Sequence, residues 1–319
     1  MRYIQLGKSG LSVSRICLGT WQFGGDWGSI DRDDAIAAVR AALDQGVTFF
    51  DTAQAYGFGK SEALLAEALG DDIHRDDVVV ATKGGLRPVA GGVERDSSPD
   101  FLREGVEESL GQLGVEAIDL YQVHWPDRTT PFEQTGAALK QLKDEGKIRH
   151  VGVSNFSPAE MEELSRAVEV ETDQPPYNLF NRAIEEDVLP WCREQDIGVL
   201  AYGPLSHGLL SGHFDPSQLA EDDWRRGHEP FEGEELERNL EVVGRLAEFA
   251  EQRGYTLPQV AVAWVLAQPG VHVAITGARR PAHIEGVVPA AEIEFSDDDV
   301  AEIDELTGAG KAWGLTPEG

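Results

Sequence analysis

Short apolar runs rich in β-branched residues alternate along the whole chain with longer amphipathic stretches of helical period. That alternation limits the folds open to the sequence. The runs fall at Arg15–Gly19, Thr48–Asp51, Val78–Lys83, Ile118–His124, Ile148–Val153, Glu171–Gln174, Ile197–Tyr202 and Val271–Thr276. Each is continuous enough for a strand covered on both faces, as in a parallel sheet, rather than one with a solvated face. Between them the helical period predicts helices over Asp33–Gln45, Ser61–Leu69, Ser98–Leu113, Pro131–Glu145, Ser157–Val168, Asp187–Glu194, Thr256–Gln268 and Pro281–Val287. Ser157-Pro158-Ala159-Glu160 has the form of a capping box with proline at the first helical position. Eight parallel strands joined by right-handed helical crossovers close most naturally into an α/β barrel of the (β/α)8 or TIM type. An open dinucleotide-binding sheet is disfavoured, because no GxGxxG follows the first strand.

Three segments lie outside the eight units. Tyr3–Val13 reads as a hairpin turning at Lys8-Ser9-Gly10, placed to plug the N-terminal mouth of the barrel. Glu235–Gln252 and Asp297–Leu306 read as additional helices. No repeat or low-complexity linker divides the chain, so residues 1–319 are expected to form a single barrel domain. The Pro-, Asp- and Glu-rich stretch Leu205–Glu234 is long for a connection, and loops of that length are usually functional or disordered.

Charge removes several partner classes. With 57 acidic against 27 basic residues and a formal net charge of −30, the surface repels phosphate backbones and anionic lipid headgroups, so neither nucleic acid nor a membrane is an expected partner. No run of about 18 apolar residues appears, and the first residues are polar where a signal peptide is apolar, so a cytoplasmic protein is expected. Cys17 and Cys192 lack metal-ligand spacing and read as buried thiols, and no metal site is expected.

In a (β/α)8 barrel the active site forms where the strands end. Those ends carry Thr20 and Trp21, Asp51 with Tyr56 beyond it, Lys83, His124-Trp125, Ser154-Asn155, Gln174, Tyr202, and Gly277 through Arg280. Asp51, Tyr56, Lys83 and His124 make a coherent acid–base device. A free tyrosine has a pKa of about 10, and a neighbouring ammonium favours its phenolate. Lys83 is placed to act on Tyr56, Asp51 to keep the lysine charged, and His124 to bond a substrate oxygen. Each residue taken alone also suits an ordinary strand end, loop or core position, and it is their conjunction that points to chemistry.

These residues, with their surroundings, resemble the aldo-keto reductases over essentially the whole chain. The likeness rests on Gly46-Val47-Thr48-Phe49-Phe50-Asp51-Thr52-Ala53 with Tyr56-Gly57 and Ser61-Glu62, on Thr82-Lys83, and on Asp119 through Pro126. It continues in Gly146-Lys147-Ile148-Arg149, Gly152 through Phe156, Gln174 through Leu179, Tyr202 through Leu205 and Gly208 through Gly212. The pattern is most similar to bacterial reductases related to potassium-channel β-subunits and general stress oxidoreductases. The resemblance implies metal-free hydride transfer between a nicotinamide and a small aldehyde, ketone or alcohol, with Tyr56 as general acid and base. By position it makes Ser154, Asn155 and Gln174 the carboxamide-binding residues, with both amides offering a donor and an acceptor. Tyr202 becomes the ring stacked on the nicotinamide. Gly19, Thr20, Trp21, Gly203, Leu205 and Gly277 complete the expected cofactor set. Arg279-Arg280, the basic pair on this rim, suits a 2′-phosphate, which favours NADP(H) with NAD(H) as second choice. The chain departs from relatives at His213, where lysine is common, and near Gly286-Val287, where they carry an acidic residue and an asparagine. Trp21, Phe23, Trp27, Phe58 and Trp125 follow barrel strands on this rim and are expected either at an aromatic substrate mouth or in the core, with Trp313 of the tail in reach of the mouth. A nicotinamide-sensing regulatory subunit resembling the channel β-subunits is the alternative function.

Overall fold

The computed structural model describes residues 1–25, 30–219 and 223–308, so Trp27 and Trp313 lie outside the described residues. Along the chain, β1 (Tyr3–Gln5) and β2 (Ser12–Ser14) pair antiparallel. The strands β3 (Ile16–Gly19), β4 (Phe49–Asp51) and β5 (Val79–Gly84) follow; then β6 (Leu86–Val89) and β7 (Gly92–Arg95) form a second hairpin. Next come β8 (Ile118–Val123), β9 (Ile148–Ser154), β10 (Thr172–Gln174), β11 (Gly198–Tyr202) and β12 (Val273–Gly277). The helices are α1 (Arg32–Asp44), α2 (Lys60–Leu69), α3 (Pro99–Leu113), α4 (Phe132–Asp144), α5 (Pro158–Ser165), α6 (Val188–Glu194), α7 (Gly233–Gln252), α8 (Leu257–Ala267), α9 (Pro281–Val287) and α10 (Asp297–Thr307). Strands β10, β11, β12, β3, β4, β5, β8 and β9 close in that order into a parallel barrel. The expected (β/α)8 architecture is therefore present, including the N-terminal hairpin and the helices α7 and α10.

Strand parity divides the core in two. Residues facing the barrel axis, Cys17, Phe49, Val79, Ala81, Leu120, Leu200, Val273 and Ile275, form one cluster with Leu6 and Val13 of the hairpin. The alternate residues, among them Leu18, Phe50, Val80, Tyr121 and Val153, pack outward against the helices. Leu6 and Gly7 seat the plug on Gly198, whose absent side chain leaves room: a Cβ there would lie 2.7 Å from Leu6 Cγ. Fully burying a leucine contributes about 1.5–3 kcal/mol, so the plug adds to the core as well as closing the barrel floor.

Helix starts follow local chemistry. Ser157 accepts from the backbone of Glu160 while Glu160 reaches back to Ser157, the capping box read from the sequence. Equivalent boxes start α8 at Thr256 and Gln259, and α10 at Ser296 and Asp299. The hairpin β6–β7 was not expected. Its strands are four residues long, one holds Pro88, and its tip residues Val89 and Val93 are exposed, so no buried alternation marks it.

Candidate active site

Along several strands the inward-facing side chains turn from apolar to polar toward the C-terminal end. On β5 the order is Val79, Ala81, Lys83; on β8 it is Leu120, Gln122; on β4 it is Phe49, Asp51. The same period-2 geometry that builds the floor of the core therefore stacks a polar layer above it. Register sets the neighbours within that layer, with Lys83 beside Gln122 and Gln174 beside Ser154.

Lys83 is completely buried, and its ammonium has three donors facing three acceptors. Nζ donates to Asp51 Oδ2 at 2.6 Å, to the Thr52 carbonyl at 2.9 Å and to Tyr56 Oη at 3.2 Å. Burial by itself lowers the lysine pKa; the Asp51 carboxylate, with Tyr56 behind it, outweighs that and holds the pKa above the usual lysine value. Tyr56 reaches this position because the loops after β3 and β4 touch backbone to backbone at Gly24 and Gly57. A Cβ on Gly24 would lie 2.6 Å from the Tyr56 carbonyl carbon, and Gly57 has a φ of +64°. His124 stands edge-on to Tyr56, ring centroids 5.7 Å apart. Burial first, and the Lys83 charge second, hold its pKa well below the usual imidazole range, so the ring is neutral near pH 7. The four residues predicted from separate strand ends are thus brought together.

Asp51 is satisfied on its other side by two amides. Gln174 Nε2 donates to Oδ1 at 2.8 Å and Gln122 Nε2 at 3.3 Å. Gln122 was not singled out in the sequence; its parity on β8, two residues before His124, was the available signal. Gln174 Nε2 also donates to Gln122 Oε1 at 3.3 Å. Asn155, at a φ of +63°, donates from Nδ2 to the His124 carbonyl at 3.1 Å and to Ser154 Oγ at 3.0 Å, and its Oδ1 accepts from the Tyr202 hydroxyl at 2.9 Å. Ser154 Oγ donates to the Gln174 carbonyl. The expectation that both amides offer donor and acceptor needs correction: the N–H groups of Gln174 and Asn155 are already engaged, and acceptor oxygens are what they present.

Other expected cofactor residues are placed as follows. Thr20 is fully buried, its backbone N–H and its hydroxyl both directed at the Asp51 carbonyl and its Oγ1 accepting from Ser61, so it fixes the β3 loop and offers no open face. Gly19 packs under Ile275, where a Cβ would lie 2.7 Å from Cγ2. Gly277 ends β12 beneath the Gln22 amide. Gly203 accepts from Asn178 through its carbonyl, and Leu205 packs on the core. Arg279 and Arg280 are exposed just beyond β12, and Arg280 Nε donates to His283 Nε2 at 3.0 Å.

Of the described aromatic residues expected at the mouth, Phe23 is the one that the structure places in the core. Trp21 stacks near Tyr56, centroids 6.2 Å apart, as expected. Phe23 is instead 4% exposed and belongs to the core, because the short 3-10 turn Trp21–Gly24 rotates it inward. Phe58 stands 46% exposed in solvent. Trp125 is half-buried with the Arg95 guanidinium 4.9 Å over its ring. Two residues of the long loop before α7 stand at the same rim: Trp224 stacks on Trp21 at 6.2 Å, and His207 meets Trp224 edge-on at 4.9 Å. Arg225 fixes that loop by bonding both Asp223 oxygens and the His207 carbonyl. Nothing in the composition of the loop showed where Trp224 would land.

Both cysteines are buried thiols. Among the described residues there is no cluster of His, Cys, Asp or Glu able to hold a metal, and no helix long and apolar enough to cross a membrane.

Comparison with known proteins adds a family match. Residues 15–307 fit the aldo/keto reductase family. The chain is 41% identical over 309 residues to the aldo-keto reductase YhdN of Bacillus subtilis, covering 96% of this chain and 93% of the relative. It is 33% identical over 325 residues to the NADH-specific methylglyoxal reductase of Escherichia coli, covering 97% and 99%. Among solved structures it is similar to the glycerol dehydrogenase AKR11B4 from Gluconobacter oxydans, with a TM-score of 0.86, 39% identity and 95% coverage of both chains. The holo form of aldo-keto reductase AKR11C1 from Bacillus halodurans superposes with a TM-score of 0.82 at 27% identity, covering 99% of both.

Proposed function

The chain belongs to the aldo/keto reductase family, and we propose that it is a cytoplasmic NADP(H)-dependent oxidoreductase interconverting small aldehydes or ketones and their alcohols. The observation that carries the reading is the buried Lys83 ammonium, held 2.6 Å from Asp51 and 3.2 Å from the Tyr56 hydroxyl. When bound, a nicotinamide dinucleotide supplies or takes up the hydride at the carbonyl carbon.

The residues of this chain do the remaining work. Tyr56 gives its phenolic proton to the oxygen of the carbonyl being reduced, and the ammonium at 3.2 Å stabilises the phenolate left behind. Asp51 keeps that ammonium charged, and the amides on Oδ1 keep Asp51 in place. Neutral His124 orients the carbonyl oxygen beside Tyr56 without adding a competing charge. In the reverse direction the tyrosinate takes the alcohol proton.

The barrel rim also fits the carrier. Gln174 Oε1 and Asn155 Oδ1 remain as acceptors for a carboxamide NH2, and the Tyr202 ring is fixed by its bond to Asn155. Arg279 and Arg280 are exposed cations beyond β12, suited to a 2′-phosphate in a chain of net charge −30. Incubating the protein with NADPH and a panel of small carbonyl compounds, and following NADPH absorbance, tests the proposal. Consumption that depends on a carbonyl is the expected result. Dinucleotide binding without turnover of any carbonyl would place the chain with nicotinamide-sensing subunits instead.

A further inference from the structure

The hydrogen-bond polarity of the polar layer is fixed by one acceptor. A carboxylate only accepts, so the atom of Gln174 lying 2.8 Å from Asp51 Oδ1 must be its NH2 nitrogen. That nitrogen has a second hydrogen, and it faces Gln122 Oε1 at 3.3 Å. The other end of the Gln122 amide then has to be its nitrogen, which indeed lies 3.3 Å from the same Asp51 oxygen. Three buried side chains thus admit one self-consistent orientation, in which Gln174 is left with its oxygen as the free group. Gly152, the register neighbour of Gln122, gives the space: a Cβ there would lie 2.9 Å from Gln122 Cγ and collide with Thr172 Oγ1.

We propose that Gln122 is a positioning residue that holds the Gln174 amide in the orientation presenting an acceptor to the carboxamide NH2 of the dinucleotide. The inference rests on the function proposed above. Asp51 sets which end of the Gln174 amide is its nitrogen; without Gln122 the second hydrogen is buried and unbonded, and pivoting the amide about the Asp51 bond to relieve it moves the acceptor off the carboxamide. Gln122 therefore joins the proton-transfer side of the site, through Asp51, to the cofactor side.

The test compares two probes, oxidised NADP and its 3-acetylpyridine analogue, in which a methyl group replaces the amide NH2. Affinities are read by tryptophan fluorescence quenching in the unmutated protein, Q122L and Q122M. The unmutated protein is expected to prefer the carboxamide by about tenfold, the worth of one well-placed hydrogen bond. In Q122L the preference is expected to fall below about twofold while affinity for the analogue is unchanged. Q122M, equally unable to accept, should match it and serves if Q122L does not fold. A preference retained in the variants, or an equal loss of affinity for both probes, overturns the role of Gln122 alone. Equal binding of the two probes by the unmutated protein overturns the Gln174 acceptor and this proposal with it, whereas failure to bind either probe overturns the proposed function itself.

Discussion

Replacing Lys83 by methionine keeps the length of the side chain and removes its charge, and the consequence follows from the geometry. Asp51 loses the donor on Oδ2 at 2.6 Å and keeps the Gln174 and Gln122 amides on Oδ1. At an effective dielectric near 20 the lost ion pair carries about 6 kcal/mol of attraction, much of it offset in the unmutated protein by the desolvation of both groups. Removing one partner leaves the desolvation of the other uncompensated, which costs about 3–5 kcal/mol. Because two amides still face Oδ1, the lower end of that range, about 3 kcal/mol, is expected. At a urea m-value near 3 kcal/mol per molar this moves the unfolding midpoint down by about 1 M. The loss has a pH signature. A buried carboxylate without its ammonium holds a proton more tightly than in the unfolded chain, so the K83M protein loses stability as pH rises and its penalty is larger at pH 8 than at pH 5. The double variant D51N/K83M has no buried charge left to strand and should recover most of the loss at pH 8. Urea unfolding of the unmutated protein and of K83M, D51N and D51N/K83M at both pH values provides the assay. A penalty independent of pH, or a double variant no more stable than K83M, would mean that no stranded Asp51 charge causes the loss.

The other expectations are simpler. Replacing Arg279 and Arg280 with alanine removes charge-assisted bonds worth about 1.5–3 kcal/mol, so NADPH should bind at least tenfold more weakly while NADH is nearly unaffected, as read by fluorescence titration; equal losses would mean that the pair does not read the 2′-phosphate. His124 is neutral in the folded protein with its pKa below that of the unfolded chain, so its contribution to stability is complete above pH 6.5 and erodes as pH falls. Thermal unfolding between pH 5 and 7.5 should accordingly show H124Q to be less acid-sensitive than the unmutated protein. Trp224→Ala removes an aromatic pair worth about 0.5–1.5 kcal/mol and should raise KM for aryl aldehydes by about 3–10-fold while changing it little for small aliphatic ones. An equal rise for both would take Trp224 out of the substrate wall.

The barrel was legible because parity is written into each strand: the alternation that buries Val79 and Ala81 also delivers Lys83 to the rim. Asp51 and His124 were readable in the same way, as the residues where apolar runs give out. Strand boundaries slipped by a residue or two, as at Thr48 and Glu171, where strand pairing is what defines the end and hydrophobicity does not. What stayed hidden depends on tertiary placement. Trp224 reaches Trp21 because Arg225 ties Asp223 to the His207 carbonyl, a constraint between residues up to 18 positions apart that has no period. Phe23 lies in a 3-10 turn too short to reveal a face. The engagement of the Gln174 and Asn155 donors depends on which polar atoms the closed barrel sets against them, Asp51 and Gln122 for the first and the His124 carbonyl and Ser154 for the second, which spacing along the chain does not encode.

If Tyr56 donates the proton in a site tuned by Lys83, Tyr56→Phe removes the donor itself. The variant keeps the ring and removes only the hydroxyl at 3.2 Å from Nζ. NADPH affinity should stay within about twofold of the unmutated protein while kcat/KM for the best carbonyl substrate falls by about 10²–10⁴-fold. A kcat/KM close to that of the unmutated protein would contradict that role of Tyr56.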